Sequence, residues 1–443
     1  MRKHIIFLLI VLLTSLSMLS AQEDDDLFGG DDMVAETPAE TRKMFSVSDV
    51  DIFNGDTVRI GGSLASSLKT IVQWKEDDNG AFPYNSTSMA PDLRGAFFID
   101  ARPSTNLRIY SKFNYAFPFK LSTSAVDVPA VPPVFPGFQF PSLDIPQFNV
   151  FELFTDFSLG ESVFFRFGKH TVKWGVGYFF SPVDVLNLSV IDPEEPETQR
   201  EGPVSLRVQF VFPNTQNALY LYALPDTNPP SGTQPFQAEN TAAAAKFELV
   251  AGNSELGFGA WYKHLRSPRF IMTYSGTIAG KVGAFGEGLF AWGKDNEWID
   301  KKNPGGMGPV FQATAGLSYS NTDINLSISG QYFYNGFGET NPAVPSIPGS
   351  LTLTNLSGYG GQHYAAASIS LSELFTPKLS ASLFGMFGID SVSGTTNFLI
   401  SWRFLDELSL SAGPMFTYGK EYTRDGKPVI GLQITAKLGG GRF

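Results

Sequence analysis

The strongest constraint in this sequence is a two-residue alternation of apolar and polar side chains that recurs throughout residues 57–443. One such segment, residues 324–329, reads Ile-Asn-Leu-Ser-Ile-Ser. Successive side chains of a β-strand point to opposite faces of the sheet, so this period indicates a strand with one apolar face. No helical periodicity of comparable length is present. Eighteen segments of this kind follow one another, and the sequence therefore predicts an all-β fold.

The connections between the predicted strands alternate in length. They are short after even-numbered strands, as at Pro103-Ser104, and mostly long after odd-numbered strands, as at 75–89, 119–146 and 175–201. Short turns at one rim and long loops at the other are typical of transmembrane barrels, and a soluble sandwich has no reason to keep this rule. We predict a single transmembrane antiparallel β-barrel of about 18 strands, with 16 as the alternative, short periplasmic turns and long extracellular loops.

An aromatic residue lies at the end of each odd-numbered predicted strand. Amphipathic rings prefer the headgroup zone of a bilayer, so a row of them predicts a membrane girdle. Aromatic residues make up 14% of the chain, and chance placement is the alternative. The residues concerned are Trp74, Phe117, Trp174, Tyr222, Tyr262, Trp292, Tyr334, Phe387 and Tyr418.

The first residues of the chain determine the expected compartment. A basic start, an apolar core at 5–13 and small residues up to Ala21 predict a signal peptide at 1–21, cleaved near Ala21. Residues 22–56 carry many acidic side chains and little apolar surface, which predicts a flexible periplasmic tail. The barrel then occupies residues 57–443, and we expect it in the bacterial outer membrane.

Composition excludes several classes of protein. The chain has no cysteine, so it is not a disulfide scaffold or a cysteine enzyme, and its net charge of -11 argues against a nucleic-acid partner. His170, His264 and His363 lie in or beside predicted strands, without the spacing of a zinc site. No nucleophile elbow or phosphate-binding loop is present. We expect no enzymatic activity, no cofactor and no metal site.

Three segments carry a resemblance to a known superfamily. Residues 168–175 (Gly-Lys-His-Thr-Val-Lys-Trp-Gly) and the segment 180–187 that follows resemble a stretch of porin-like barrels. The terminal Phe443 resembles the signal that barrel-insertion machinery reads. Residues 57–443 are thus similar to porin-like bacterial outer-membrane β-barrels. The resemblance implies a channel whose partners are outer-membrane lipid, the insertion machinery and small solutes, with a homotrimer as an open alternative.

Polar side chains opposite the apolar positions of the second to sixth strands should face the barrel interior. A charge on the lipid side would cost about 2–4 kcal/mol near the middle of the membrane. The charges of both signs on adjacent strands indicate a polarised wall, or, as the alternative, ion pairs that only brace the barrel. The pore-lining candidates are Arg94, Asp100, Arg108, Lys112, Glu152, Asp156, Arg166 and Arg207.

Two long loops are candidates for a constriction. In 175–201, Ser181 and Pro182 predict the start of a helix, and an acidic run follows. Folded across the arginine-bearing wall, this loop would create a transverse field; the alternative is a solvated external surface. The proline-rich loop 119–146 either narrows the pore or caps its mouth. The constriction-loop candidates are Asp184, Asp192, Glu194, Glu195, Glu197 and Arg200.

The predicted number of strands bears on function. Barrels of sixteen to eighteen strands leave a water-filled lumen, whereas small barrels fill theirs with side chains. The sequence therefore favours a channel for passive diffusion of small hydrophilic solutes. The alternatives are a transporter of hydrophobic compounds and a surface adhesin or structural outer-membrane protein.

Overall fold

A computed structural model describes residues 58–117, 147–226, 237–278, 280–295, 298, 308–340, 359–405, 407–420, 423 and 425–442. The predicted signal peptide, the acidic tail, the loop 119–146 and Phe443 lie outside these residues. No helix within the described ranges is long and apolar enough to cross a membrane. A 3-10 turn at Ala238–Asn240 is one of the few helical pieces.

Eighteen strands form one sheet, in which each strand pairs antiparallel with its neighbours in the chain. Strand β1 also pairs with β18, with Lys69 opposite Thr435, so the sheet closes. The predicted all-β barrel of 18 strands is confirmed, and the sixteen-stranded alternative is wrong. The strands are β1 Val58–Lys75, β2 Tyr84–Ser104, β3 Leu107–Phe117, β4 Gln147–Leu159, β5 Val163–Lys169, β6 Val204–Val211, β7 Ala218–Leu224, β8 Ala242–Ala251, β9 Ser254–Tyr262, β10 Arg269–Ile278, β11 Val282–Trp292, β12 Pro309–Asn321, β13 Leu326–Asn335, β14 His363–Leu371, β15 Leu379–Gly388, β16 Ser393–Leu405, β17 Leu408–Tyr418 and β18 Val429–Arg442.

The alternation assigns the two faces of the barrel wall. On β18, Ile430, Leu432 and Ile434 point outward and stay about two-fifths exposed, whereas Gln433 between them points inward and is buried. The same parity runs around the sheet through the paired strands. The exterior is therefore a continuous apolar surface, and the polar side chains are gathered inside.

The two rims differ as the sequence predicts. The turns after even-numbered strands have at most seven residues, and Gly160 and Gly252 take positive φ angles of 64° and 59° in two of the tight ones, which glycine adopts without steric cost. The connections after β5 (170–203) and after β13 (336–362) are long. We refer to the two ends of the barrel as the short-turn rim and the long-loop rim.

Two corrections concern the predicted aromatic girdle. Strand β5 ends at Lys169, so Trp174 lies in the following loop, where it is fully buried. Tyr222 points inward and packs edge-on against Trp174 with ring centroids 5.4 Å apart. Tyr262 and Trp292, in contrast, are exposed on the outer surface. An aromatic residue at the end of a strand can therefore point into the barrel or out of it, and its place in the two-residue alternation decides which.

Closure through β1 and β18 predicts a specific cross-link. In this cysteine-free chain, Lys69→Cys together with Thr435→Cys should form a disulfide on mild oxidation, because directly paired residues lie within disulfide reach. Gel mobility with and without reductant measures it. The control pair is Lys69→Cys with Ser411→Cys, one strand further along the same row and about 9–10 Å away. Equal cross-linking of both pairs would contradict the closure.

Candidate functional site

The connection between β5 and β6, residues 170–203, is here named the inner loop. Its contacts reach Lys246 on β8, Glu287 on β11 and Gln331 on β13, and the Lys246 Nζ donates to the Trp174 carbonyl at 3.0 Å. The interior of the closed barrel is the one place that all these strands border. The inner loop is therefore folded into the lumen.

A buried carboxylate on the barrel wall holds the first part of the inner loop. The Glu287 Oε1 accepts hydrogen bonds from the amides of Val176 at 2.5 Å and Gly177 at 2.6 Å. It also accepts the Ser181 hydroxyl at 3.0 Å, while Oε2 lies 3.4 Å from the Val183 amide. Glu287 thus fixes an irregular backbone segment that has no ladder of its own.

Gln331 performs the same task two strands further on. Its Oε1 accepts the amides of Tyr178, Phe179 and Phe180 at 3.1, 2.7 and 3.2 Å. Its Nε2 donates to the Phe180 carbonyl and to the Thr314 hydroxyl, both at 2.6 Å. One neutral side chain therefore satisfies the backbone of three consecutive loop residues.

Apolar packing completes the attachment of the inner loop. Phe180 stacks on Phe333 of β13 with ring centroids 5.3 Å apart, and both side chains are almost fully buried. Val183 and Leu186 belong to the same buried apolar cluster as Leu289 of β11. Burying one such side chain contributes about 1.5–3 kcal/mol relative to exposure. These contacts fill the part of the lumen next to β7–β15.

The predicted helix start in the inner loop is wrong. Ser181 and Pro182 form a turn in which the Asp184 amide donates to the Ser181 carbonyl at 3.2 Å, and no helix follows. The Ser181 hydroxyl donates to Glu287 and is not available as a helix cap. A tertiary contact therefore overrides the local capping signal.

Two of the pore-lining candidates hold the base of the inner loop. The Lys112 Nζ donates to the Gln199 Oε1 at 2.7 Å, and the Glu152 carboxylate accepts the Thr171 amide at 3.1 Å. Lys112 and Glu152 are also directly opposite each other on β3 and β4. Both lie on the interior face, but they brace the loop where it leaves the wall.

Two of the constriction-loop candidates are paired within the loop. The Arg200 guanidinium forms an ion pair with the Asp184 carboxylate, which also accepts the Asn187 side-chain amide at 3.0 Å. Burial lowers the pKa of Arg200, and the charge of Glu287 opposes this effect. Asp184 and Arg200 thus tie the outgoing and returning halves of the inner loop together.

The other four constriction-loop candidates form the acidic tip of the inner loop. Asp192, Glu194, Glu195 and Glu197 are all exposed. The tip faces basic side chains of the seam strands: Glu194 is within electrostatic range of Lys69 on β1, and Glu195 of Lys437 on β18. The charge of Arg94 on β2 also acts on Lys437.

The remaining pore-lining candidates lie on the interior face of β2–β6. The Arg108 guanidinium grips Asp100 through two hydrogen bonds of 2.8 and 3.3 Å. The Arg166 guanidinium grips Asp156 in the same way, at 2.6 and 2.8 Å. Such bidentate contacts, with two hydrogen bonds from one guanidinium group to one carboxylate, are the strong geometry for an arginine–carboxylate pair. The series, here named the arginine row, contains Arg102, Asp100, Arg108, Asp156, Arg166 and Arg207.

The arginine row has more positive than negative charge. Four guanidinium groups face two carboxylates, and Arg166 lies directly opposite Arg207 on the neighbouring strand. The Arg166 guanidinium also stacks on the Phe154 ring at 4.1 Å. The ion pairs brace this wall, which was the alternative to a polarised wall in the sequence analysis. They also leave an excess of positive charge on the lumen side, so the wall is both braced and polarised.

Several residues of this site escaped the sequence analysis. Lys69 and Lys437 lie on the polar parity of β1 and β18, so the rule used for β2–β6 would have found them. Glu287 and Gln331 also lie on polar parities, but the alternation says only that they face inward. The contacts that they make with a loop more than 100 residues away have no local signal.

Comparisons with known proteins report similar folds. No protein-family model and no curated protein sequence matches this chain. Among solved structures it is similar to OpdK of Pseudomonas aeruginosa with vanillate (7% identity, 86% of this chain, 99% of that chain, TM-score 0.48). It is also similar to OccAB1 of Acinetobacter baumannii (10%, 88%, 98%, 0.47) and to a mutant porin of Rh. blastica (10%, 85%, 99%, 0.40).

The buried carboxylate predicts how the inner loop responds to substitution. Glu287→Gln should weaken the hydrogen bonds to the amides of Val176 and Gly177, because one of the two acceptor oxygens becomes an NH₂ donor and the donors that Glu287 binds then compete for the other oxygen. Hydrogen exchange at these two amides should accelerate, with a loss of about 1–3 kcal/mol in local stability. The control is Glu255→Gln, another inward-facing carboxylate, on β9. Unchanged exchange in the first variant would contradict the anchoring role.

Proposed function

We propose that this protein is a channel for passive diffusion of small hydrophilic solutes across the bacterial outer membrane. The observation that carries the proposal is the inner loop, which Lys246, Glu287 and Gln331 hold inside a closed barrel with its acidic tip within electrostatic range of Lys69 and Lys437. Opposite charges across a narrow opening create a transverse field that orients polar solutes, by the same logic as charged pore rings.

The apolar exterior supports a membrane location for the channel. Outward side chains such as Phe270, Phe311 and Leu317 are about half exposed, and no other described residues form a second layer over them. Hydrocarbon is the solvent that covers such a surface at no cost, and closure leaves no unpaired edge in it. We infer that the short-turn rim is periplasmic. Binding to outer-membrane lipid, insertion by the barrel-insertion machinery and assembly into a homotrimer remain predictions.

In this proposal the pore has two charged sections. Asp192, Glu194, Glu195 and Glu197 form the acidic side of the constriction, and Lys69, Lys437 and Arg94 form the basic side. The arginine row then lines the path towards the short-turn rim, where its excess positive charge attracts small anions. Charges in a confined space with low-dielectric walls act more strongly than on an open surface.

The packing of the inner loop favours hydrophilic over hydrophobic solutes. Phe179 and Phe180 are at most 2% exposed because they pack against the wall, so their rings are not available to a passing molecule. The acidic tip presents four exposed carboxylates, and the apolar side chains exposed beside it are the isolated Leu188 and Val190. A transporter of hydrophobic compounds would need an apolar path instead.

Charge reversal at the acidic tip tests the proposal. The double variant Glu194→Lys, Glu195→Lys should shift the channel towards anion selectivity by severalfold, because it cancels the net negative charge of the acidic tip and leaves the basic side unopposed. The measurement is the reversal potential in a salt gradient across a planar bilayer. Glu161→Lys, in the short turn between β4 and β5, is the matched control. No conductance from the wild-type protein, or equal selectivity in all three, would refute the proposal.

The pH dependence of selectivity follows from Glu194. Enclosure by the barrel wall raises the pKa of Glu194; Lys69 opposes this, and Asp192 and Glu195 add to it. A raised pKa means that the carboxylate takes up its proton at a higher pH than an ordinary glutamate.

On acidification Glu194 should therefore lose its negative charge at a higher pH than an ordinary glutamate, and anion selectivity should rise there. Reversal potentials measured from neutral pH downward detect this step. The variant Glu194→Gln should lack it, and a step that persists in this variant would contradict the assignment to Glu194.

A further inference from the structure

A cluster of serine side chains occupies the inner wall near the short-turn rim. Each of three adjacent strands, β13, β14 and β15, contributes two. We name this cluster the serine face; its members are Ser327, Ser329, Ser368, Ser370, Ser380 and Ser382.

Parity places the serine face on the lumen side. Ser327 and Ser329 share a strand face with Gln331, which holds the inner loop. Strand register carries the same face onto the neighbours: Ser327 lies opposite Ser370, and Ser370 lies opposite Ser382. The hydroxyl groups therefore form a continuous patch, which does not depend on a single strand.

The sheet extends the patch on both sides. Ser320 of β12 lies opposite Ser327, and Ser401 of β16 lies opposite Ser380. Within the described residues, the inward positions of β12–β17 carry one charged side chain, Arg403 at the end of β16. This wall is thus nearly neutral, although it is strongly polar.

The serine hydroxyls are available to a solute. Five of the six serine residues are partly or fully exposed, and Ser329 is the one buried member of the set. No hydrogen bond from another described residue engages any of the six hydroxyl groups. A hydroxyl group both donates and accepts hydrogen bonds. These groups can therefore bind water, and a solute that displaces the water can take over its hydrogen bonds.

The serine face lies across the lumen from the arginine row. In a closed ring of 18 strands, β13, β14 and β15 are each nine strands away from β4, β5 and β6, in either direction. The short-turn half of the lumen therefore has one charged side and one neutral, hydroxyl-bearing side.

We propose that the serine face binds neutral polyhydroxylated solutes, small sugars and polyols, on their way through the channel; this rests on the proposed channel function. The hydroxyls repeat at about 4.8 Å across strands and about 6.8 Å along them, a grid on the scale of one sugar ring. A solute that loses water in the narrow lumen regains donors and acceptors there. An ion gains less, because the face has no charge.

The test exploits the equal shapes of valine and threonine. One variant changes Ser368, Ser370, Ser380 and Ser382 to Val, and its matched control changes the same four to Thr. At each of the four positions, the Val variant carries a methyl group where the Thr variant carries a hydroxyl group, and the variants do not differ otherwise. Sorbitol entry into proteoliposomes, at low concentration, should be about threefold or more slower in the Val variant, since each lost hydrogen bond weakens binding several-fold. Potassium chloride conductance should be the same in both.

The outcomes separate the two proposals. Equal sorbitol entry in both variants, with conductance intact, overturns the serine face and leaves the channel standing. A wild-type protein without conductance overturns the channel and the serine face together. Should the fourfold Val variant fail to insert, Ser370→Val against Ser370→Thr provides the same comparison, with an expected difference of about 1.5-fold, and equal entry again overturns the proposal.

Discussion

Closure of the hydrogen-bonded sheet between β1 and β18 is the constraint on which the rest of the structure depends. It leaves no strand edge that would need water, so the exterior can be apolar throughout. It also fixes which side chains face the lumen and which face outward, because a register shift of one residue in any strand would move charged side chains onto the apolar outer surface. The polar interior and its charged groups exist as a consequence of this single topological fact.

The inner loop shows how a closed barrel accommodates irregular backbone. Its amides between Val176 and Val183 have no strand partner, and buried amides without acceptors are costly. Glu287 and Gln331 supply acceptors for six of them from two nearby strands of the wall. A carboxylate buried in this way is tolerated because several donors converge on it. The position of the loop is thereby fixed by side chains whose function is to accept backbone hydrogen bonds.

The sequence was sufficient for the elements that repeat. Strand number, rim asymmetry and the inward direction of Arg108 or Asp156 follow from a two-residue period, which each strand expresses on its own. Contacts across the lumen have no such signal. Parity directs Lys112 and Glu152 inward but does not distinguish a residue that braces the loop from one that faces solvent. Ser181 and Pro182 failed as a helix start because Glu287, distant in the chain, captures the serine hydroxyl.

The site at which the loop is anchored determines where its charges act. The attachments to β8, β11 and β13 carry the chain past the arginine row and deliver the acidic tip to the seam strands, close to Lys69 and Lys437. Had the tip packed against β2–β6, its carboxylates would have neutralised the surplus guanidinium groups of the arginine row. In the proposed channel, this separation keeps the transverse field at the constriction apart from the net positive wall beyond it, because opposite charges that do not pair do not neutralise each other.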